Sequence, residues 1–600
     1  MDNERILVLD FGSQYTHLLA RRVRQLGVYS EILPPTASKE ELGNCCGIIL
    51  SGGPASVYAE NAPSFNPEIF NLGKPILGLC YGLQIIAKEM GGEVQRGKVR
   101  EYGTAKIEIK GKNDLFRGTK NNSIAWMSHG DKVEKIPPEF DKLASTEDCE
   151  FAAITNPEKK IFALQFHPEV THTEGGMKIL GNFLDICGCK KEWGMKNYLE
   201  EKIREIKEEV GEKKVFLLVS GGVDSSVVLS LLHRALGGER IYAMHVDNGF
   251  MRKDESRTVK GELDKLGMKE LHVFDAGEEF LDAVKGVSDP EDKRKIIGAL
   301  FVEIADRQIT ELGLNPDEWI LGQGTIYPDT IETGGTKNAD LIKTHHNRVK
   351  AIQELIEKGK LIEPLKLLYK DEVRELGQEL GLPLNLVNRH PFPGPGLAIR
   401  ALCSDGKEGN LEELGEKANE LISSWNFDFN AVPLPVKAVG VQGDERSYRN
   451  VLALEGKMNC KELEECSTKL TNSMSEINRV VFALAPEKIE SVKLLEGYLS
   501  KERLDLLREA DAISMEELGA AGLDDEIWQF PTVLVPVEVN GQGESIVLRP
   551  VHSREAMTAR FAVLPREVIA KMVERITSLE GIGAVFYDVT HKPPATIEWE

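Results

Sequence analysis

The chain has 600 residues and a formal net charge of −22, from 74 lysines and arginines against 96 aspartates and glutamates. A surface that grips a nucleic-acid backbone needs clustered positive charge, so this balance argues against general nucleic-acid binding and leaves only local nucleotide pockets open. At about 150 residues per domain the length implies about four folding units. Such a chain buries roughly 78% of its unfolded surface without staples, and 41% hydrophobic residues exclude disorder throughout.

No long apolar run follows Met1-Asp-Asn-Glu-Arg5, so no signal peptide is expected, and no stretch approaches the 18 apolar residues of a membrane span. The nine cysteines, at 45, 46, 80, 149, 187, 189, 403, 460 and 466, contain no CxxC pair. They suggest neither a disulfide framework nor a structural zinc site, and Cys187-Gly-Cys189 reads as incidental. The composition fits a cytoplasmic protein with reduced thiols and no membrane or nucleic-acid partner.

In chain order, 5–10 is an apolar run predicted as a buried strand, and 14–26 follows with Leu18, Leu19, Val23 and Leu26 at helical spacing. Residues 47–50 and 75–79 read as further strands. Strands alternating with helices predict an α/β layer with a mostly parallel sheet up to about residue 190. The charged stretch 191–213 has helical period and reads as a linker helix. A second doubly wound α/β unit begins with the strand 215–219, a glycine-rich turn, the helix 224–236 and the strand 241–246. The stretch 322–348, rich in Gly, Thr, Asn and Asp, reads as a functional loop.

Arg389-His-Pro-Phe-Pro-Gly-Pro-Gly396 cannot form helix and opens a third block. Within it Leu434-Pro-Val436 recurs as Val535-Pro-Val537, and the segment 477–482 recurs as 582–587. Each copy reads strand, strand, helix, strand, which predicts an α+β domain of two similar lobes. The expected domains are 4–193, 194–392 and 393–600, the last divided into lobes 393–490 and 491–600.

Gly78-Leu-Cys80-Tyr-Gly82 lies directly after a predicted strand and before the predicted helix 83–90. The flanking glycines permit a tight strand-to-helix turn that aims the Cys80 thiol at a helix N-terminus, a thiol version of the nucleophile elbow. The helix terminus and a nearby imidazole favour the thiolate. In Gln165-Phe-His-Pro-Glu169, residues i and i+2 of an extended segment share a face, so Glu169 can orient His167 while His167 deprotonates Cys80. The amides of Tyr81 and of Gly53, in Ser51-Gly-Gly-Pro54, are candidate oxyanion donors. These strings together resemble the class I glutamine amidotransferase family over about residues 4–193. The resemblance implies a flavodoxin-like domain in which Cys80 is the nucleophile, His167 the base and Glu169 the orienting acid, releasing ammonia from glutamine.

Ser220-Gly-Gly-Val-Asp-Ser-Ser226 follows the strand 215–219 and opens a helix. Gly221 and Gly222 let the backbone approach an anion, and the first amides of the helix, beginning near Val223, with the hydroxyls of Ser220, Ser225 and Ser226, can cradle phosphate. Asp224 repels phosphate unless a cation intervenes, which suggests a role linked to Mg²⁺. The string resembles the N-type ATP pyrophosphatase family, implying a doubly wound parallel sheet that binds ATP.

An ammonia source fused to an adenylating domain suits amination of an activated carbonyl oxygen. Together with 389–400, Val439-Gly-Val-Gln-Gly-Asp444 and Lys592-Pro-Pro-Ala-Thr-Ile-Glu-Trp-Glu600, the two motifs make the whole chain resemble the glutamine-hydrolysing GMP synthetase family in its long form. The resemblance implies that XMP, ATP, glutamine and water give GMP, AMP, pyrophosphate and glutamate. It implies XMP contacts from Arg294, Asp444, Gln529, Lys592 and Glu598, and a lid over 322–348. It also favours a monomer over a homodimer, because the second lobe resembles the surface that a partner subunit supplies in the short form. The family string AspPheMetThrAla stands here as Arg554-Glu-Ala-Met-Thr-Ala559. The alternatives are another amidotransferase-coupled adenylating ligase and a catalytically silent nucleotide-binding scaffold.

Overall fold

The computed structural model describes residues 5–53, 56–59, 62–315, 317–332, 361–407, 409–442, 445–553 and 558–600. The chain forms two compact units, Met1–Glu200 and Glu201–Glu600.

The first unit is built on one sheet. Its strands are β1 (Arg5–Leu9), β2 (Tyr29–Leu33), β3 (Gly47–Leu50), β4 (Ile76–Leu79), β5 (Glu93–Ile109), β6 (Ser123–Lys135), β7 (Asp141–Ser145), β8 (Ala153–Asn156) and β9 (Ile161–Leu164), in the order β2-β1-β3-β4-β9-β8-β7-β5-β6. The half from β2 to β9 is parallel. β3, β4 and β9 are buried along their whole length, as a sheet covered on both faces requires, which is why they read as unbroken apolar runs. The helix Thr16–Gln25 makes the crossover from β1 to β2, and Tyr81–Glu89, which leads from β4 to β5, closes the core around Leu7, Ile48, Leu50, Ile86 and Ile161. The first helix begins two residues later than the pattern predicts. The chain turns at Ser13, and Thr16 Oγ1 donates to Asp10 Oδ1 at 2.7 Å. The antiparallel half, from β9 through β8 and β7 to the bulged β5–β6 ribbon, was not foreseen from the sequence.

The helix Met195–Val210 stands where 191–213 was expected and leads into the second unit. There β10 (Lys214–Leu218), β11 (Ile241–Asp247), β12 (Leu271–Asp275), β13 (Trp319–Gly322) and β14 (Leu361–Ile362) form a parallel sheet ordered β12-β11-β10-β13-β14. The order reverses at β10, and ligands of such sheets bind beyond the carboxyl ends of the strands at that point.

A six-stranded sheet follows, ordered Phe429–Gln442, Glu445–Gly456, Ile477–Ala485, Ile582–Asp588, Glu544–Leu548, Thr532–Val535. Neighbouring pairs run antiparallel, parallel, antiparallel, parallel, antiparallel. The helices Cys460–Ser473 and Arg566–Thr577 make the two parallel crossovers. One apolar cluster runs from Phe216, Met244 and Phe250 through Leu397 to Leu504 and Tyr587, so both sheets share a core. The proline-rich run that begins at Arg389 passes over that core. Gly396, at φ +63°, lies so close to Phe250 that a Cβ there would meet the Phe250 carbonyl at 2.2 Å.

The last ten residues lie against this sheet. Val439 N donates to Trp599 O, and Val441 N to Pro594 O at 2.7 Å. Beneath them Asp588, fully buried, receives Arg479 at 2.6 Å, Arg549 at 2.7 Å and the Trp599 indole at 3.0 Å. Burial raises the Asp588 pKa, but the two arginines and their hydrogen bonds outweigh it and hold the carboxyl below its ordinary value. Its stabilising share is therefore present above the unfolded carboxyl value of about 3.9 and is lost as pH falls through the lower folded value. Asp588→Asn leaves two guanidiniums buried without a counter-charge. A loss of about 3–5 kcal/mol is predicted in urea unfolding of the second unit, and a loss within 1 kcal/mol would show that the tail is held otherwise.

Candidate active sites

Cys80 closes β4 and caps the helix Tyr81–Glu89 at φ 50°, ψ −98°, a conformation that a residue with a side chain rarely holds. The strain lies on Cys80 itself. The flanking glycines serve close approach, since a Cβ on Gly82 would stand 2.5 Å from Leu50 O and one on Gly78 would stand 2.7 Å from Gly82 O. The sequence pattern assigns these glycines to the opening of the turn. What they do is let the helix press onto β3 and β4 while Cys80 takes the unfavourable dihedral.

The predicted partners converge on Cys80. Beyond β9 the chain bends at Gln165, bridges once from Phe166 to Met127 and turns at Pro168-Glu169. His167 and Glu169 therefore meet across a turn and not along the extended segment expected from the sequence. Gln165 N donates to Ala152 O and His167 N to Trp126 O. His167 Nδ1 lies 2.7 Å from Glu169 Oε1, both side chains are buried, and Cys80 is among the groups that raise the pKa of the same imidazole. The Tyr15 ring stands edge-on to His167 at 5.0 Å, and Arg22 Nε donates to the Glu169 carbonyl at 3.0 Å. A Cβ on Gly52 would reach His167 Cε1 at 3.3 Å, and one on Gly53 would reach the Tyr81 ring at 3.2 Å, so the glycine loop after β3 packs against the imidazole and against the residue that follows Cys80. Burial presses the His167 imidazole toward neutrality, but the Glu169 charge and the hydrogen bonds to Cys80 and Glu169 outweigh it and hold the pKa well above its ordinary value. A base raised in this way can take the thiol proton and keep it as half of an ion pair.

In the second unit Gly221 takes φ +82°, and Gly222 caps the helix Val223–Leu236. Ser225 and Ser226 are buried, and their hydroxyls donate to Gly222 O at 3.1 and 3.0 Å, while Ser220 is exposed with Oγ 3.3 Å from Gly222 N. The two buried hydroxyls thus brace the loop, and Ser220 is the one that faces out. Asp224 pairs with Lys370 Nζ, and its Oδ1 is buried without a partner among the described residues. Arg389 donates to Gly221 O at 2.8 Å and pairs with Glu255. Gly324, just beyond β13, packs so that its Cβ would stand 3.6 Å from Ser225 N. Loop, Lys370, Arg389 and the turn after β13 therefore meet beyond the carboxyl ends of β10 and β13. Sequence spacing alone assigns Lys370 and Arg389 no role. Their signal was the charge density of Lys370-Asp-Glu-Val-Arg374 and of the proline-rich run, which spacing cannot separate from surface charge.

Gln529 Nε2 donates to Glu598 at 2.7 Å, and the fully buried Arg400 holds Glu598 with two bonds of 2.8 and 3.0 Å. Arg294 donates to the Glu600 main-chain oxygen at 2.5 Å, beside a buried pair between Lys293 and the Glu600 carboxylate. Arg294, Gln529 and Glu598 are thus gathered on the C-terminal segment. Lys592 pairs through its backbone with Ala559, and burial lowers its pKa. Asp444, 554–557 and 333–348 of the expected lid lie outside the described residues. Among the described residues no group of three His, Cys, Asp or Glu could hold a metal ion, and no helix is long and apolar enough to cross a membrane.

Comparison with known proteins gives three family matches: glutamine amidotransferase class-I over residues 7–187, NAD synthase over 195–293 and GMP synthase C terminal domain over 516–599. Among curated proteins the chain is 46% identical over 100% of both chains to a protein of Leptospira interrogans described as "Probable GMP synthase", glutamine-hydrolyzing. It is 41% identical to the glutamine-hydrolyzing GMP synthase of Vibrio parahaemolyticus, over 100% of this chain and 99% of that one. It is 40% identical to that of Aquifex aeolicus over 100% of both.

The position of His167 is testable. Its raised pKa makes the protonated ring a stabilising group, fully so below an unfolded value of about 6.5 and progressively less as pH climbs through the higher folded value. Glu169→Gln removes the charge that overcomes burial, so the ring is predicted to titrate below about 6.5. Histidine Cε1–H NMR reads this directly, and a midpoint still above that value would deny Glu169 its role.

Proposed function

The chain belongs to the glutamine-hydrolysing GMP synthases, a family of ligases, and from that premise we propose how its residues divide the reaction. The Cys80 sulfur attacks the side-chain carbonyl carbon of glutamine as its proton passes to His167. Glu169 holds the resulting imidazolium, and the amides of Tyr81 and Gly53 meet the oxyanion. The carbon–nitrogen bond breaks, His167 returns the proton to the leaving amine, and ammonia departs. Water then cleaves the glutamyl thioester, releasing glutamate.

In the second unit the loop from Ser220 to Ser226 takes ATP, its amides facing phosphate. The oxygen on C2 of XMP attacks the α-phosphorus, pyrophosphate leaves, and ammonia displaces AMP from the adenylated carbon to give GMP. Lys370 and Arg389 border the loop and are suited to the charge that develops as pyrophosphate leaves. The orphaned Oδ1 of Asp224 fits Mg²⁺ arriving with ATP, which would neutralise phosphate charge. Arg294, Asp444, Gln529, Lys592 and Glu598 contact XMP, a reading supported by the gathering of three of them on the C-terminal segment.

The domain limits 4–193, 194–392 and 393–600 belong to the same proposal. The duplicated lobes, 393–490 and 491–600, find support in the symmetrical strand order and pairing of the six-stranded sheet. Its central antiparallel pair joins the two copies inside one chain, which favours a monomer. The substrates are polar phosphates and glutamine, which fits a cytoplasmic enzyme.

The observation that carries the proposal is the buried Cys80–His167–Glu169 relay in a chain that also holds the Ser220 loop. Cys80→Ala is predicted to lose GMP formation from glutamine by at least about 10³-fold while keeping it from ammonium ion. Loss from both donors alike would point to a different division of labour. GMP from neither donor in the wild type would favour the scaffold.

A further inference from the structure

Cys80 has two polar neighbours besides His167. Its thiol donates to the Ser128 carbonyl at 3.6 Å, and Gln165 Nε2 donates to its sulfur at the same distance. Gln165 is fully buried. It sits at the bend that follows β9, two residues before His167, and reaches the sulfur with Nε2, while Phe166 between them packs against Phe116. The carboxamide Oε1 is buried without a partner among the described residues. A neutral thiol gains little from an N–H donor, because its sulfur is a weak acceptor. A thiolate has great use for one, because a buried anion must be met by hydrogen bonds or by charge.

We propose that Gln165 is a catalytic residue of the thiol site: its amide N–H stabilises the Cys80 thiolate, and its free Oε1 accepts an N–H of the carboxamide brought to the sulfur. The proposal rests on the reading of Cys80 as the glutamine nucleophile. It gives Gln165 work in both halves of the reaction. Once His167 has passed its proton to the leaving amine it is neutral and takes a proton from the water that attacks the thioester carbon. The carbon–sulfur bond then breaks with its electron pair on sulfur, and the imidazolium and the amide N–H of Gln165, 3.6 Å from the sulfur, meet the departing thiolate together. The donor is strongest toward thiolate and weak toward thioester sulfur, so it favours departure of the thiol group over its acylated state.

Gln165→Met keeps the size of the side chain and removes both amide atoms. Alkylation of Cys80 by iodoacetamide, followed by peptide mass spectrometry against pH, is expected to shift its midpoint upward by about one unit. Glutamine hydrolysis is expected to fall about 10–100-fold, with glutamyl thioester accumulating in acid-quenched samples. Unchanged GMP formation from ammonium ion, carried by the second unit, shows only that the synthetase half is intact, and a thermal unfolding transition of the first unit that matches wild type certifies its fold. If that control fails, Gln165→Asn, which keeps the amide but shortens its reach, is the variant read, with the same shift expected. An alkylation profile superimposable on wild type would overturn the proposal. Failure of the underlying reading is a separate result: Cys80→Ala would then still hydrolyse glutamine.

Discussion

A parallel strand can be followed only by a turn out of the sheet at its carboxyl end, and the chemistry of this chain hangs from that constraint. In the first unit the glycine loop after β3, Cys80 after β4 and the Gln165–Glu169 segment after β9 leave neighbouring strands from the same edge. They meet because their strands are adjacent in the order β3-β4-β9. In the second unit the phosphate-type loop after β10 and the Gln323-Gly-Thr turn after β13 meet for the same reason. Both sites stand where a helix N-terminus adds a partial positive charge, which suits an oxyanion in one case and phosphate in the other.

Buried charge is the second organising element. Each unit buries carboxylates and pairs them with cations or an imidazole. Glu169 raises His167 and fixes its orientation, and Asp588 gathers two arginines beneath the C-terminal segment. The cost of burying these groups is offset only when all partners are present, so each cluster specifies one arrangement of the segments that carry it. The relay beside Cys80 then has a fixed geometry, and the segment bearing Glu598 is held by Arg400, Arg479 and Arg549 rather than by apolar packing alone.

The parallel halves of both units were legible in the sequence because strands buried on two faces leave unbroken apolar runs, as 47–50, 75–79 and 215–219 do. Cys80, His167 and Glu169 were legible for a similar reason, since Cys80 and His167 each follow a strand that announces itself. The antiparallel ribbon of β5 and β6 was not, because half-exposed, bulged strands mix polar and apolar residues without a clean alternation. Long-range pairing hid the rest. That Lys370 reaches Asp224, or that Arg400 grips Glu598 across 198 positions of sequence, follows from how the sheets stack and leaves no local trace. Gln165 was visible in principle, since it shares the two-residue alternation that linked His167 to Glu169. The strain on Cys80 was not, because the glycines beside it offered a sufficient local explanation.

The central claim is that the oxygen lost from XMP leaves on phosphorus, as the adenylate chemistry of the Ser220 loop requires. It is tested most directly by running the reaction with XMP labelled with ¹⁸O at C2 and examining the products by mass spectrometry. The label is predicted in the phosphate of AMP, one atom per GMP formed. Label in pyrophosphate or in water would contradict adenylation at that oxygen and with it the assignment of the second site.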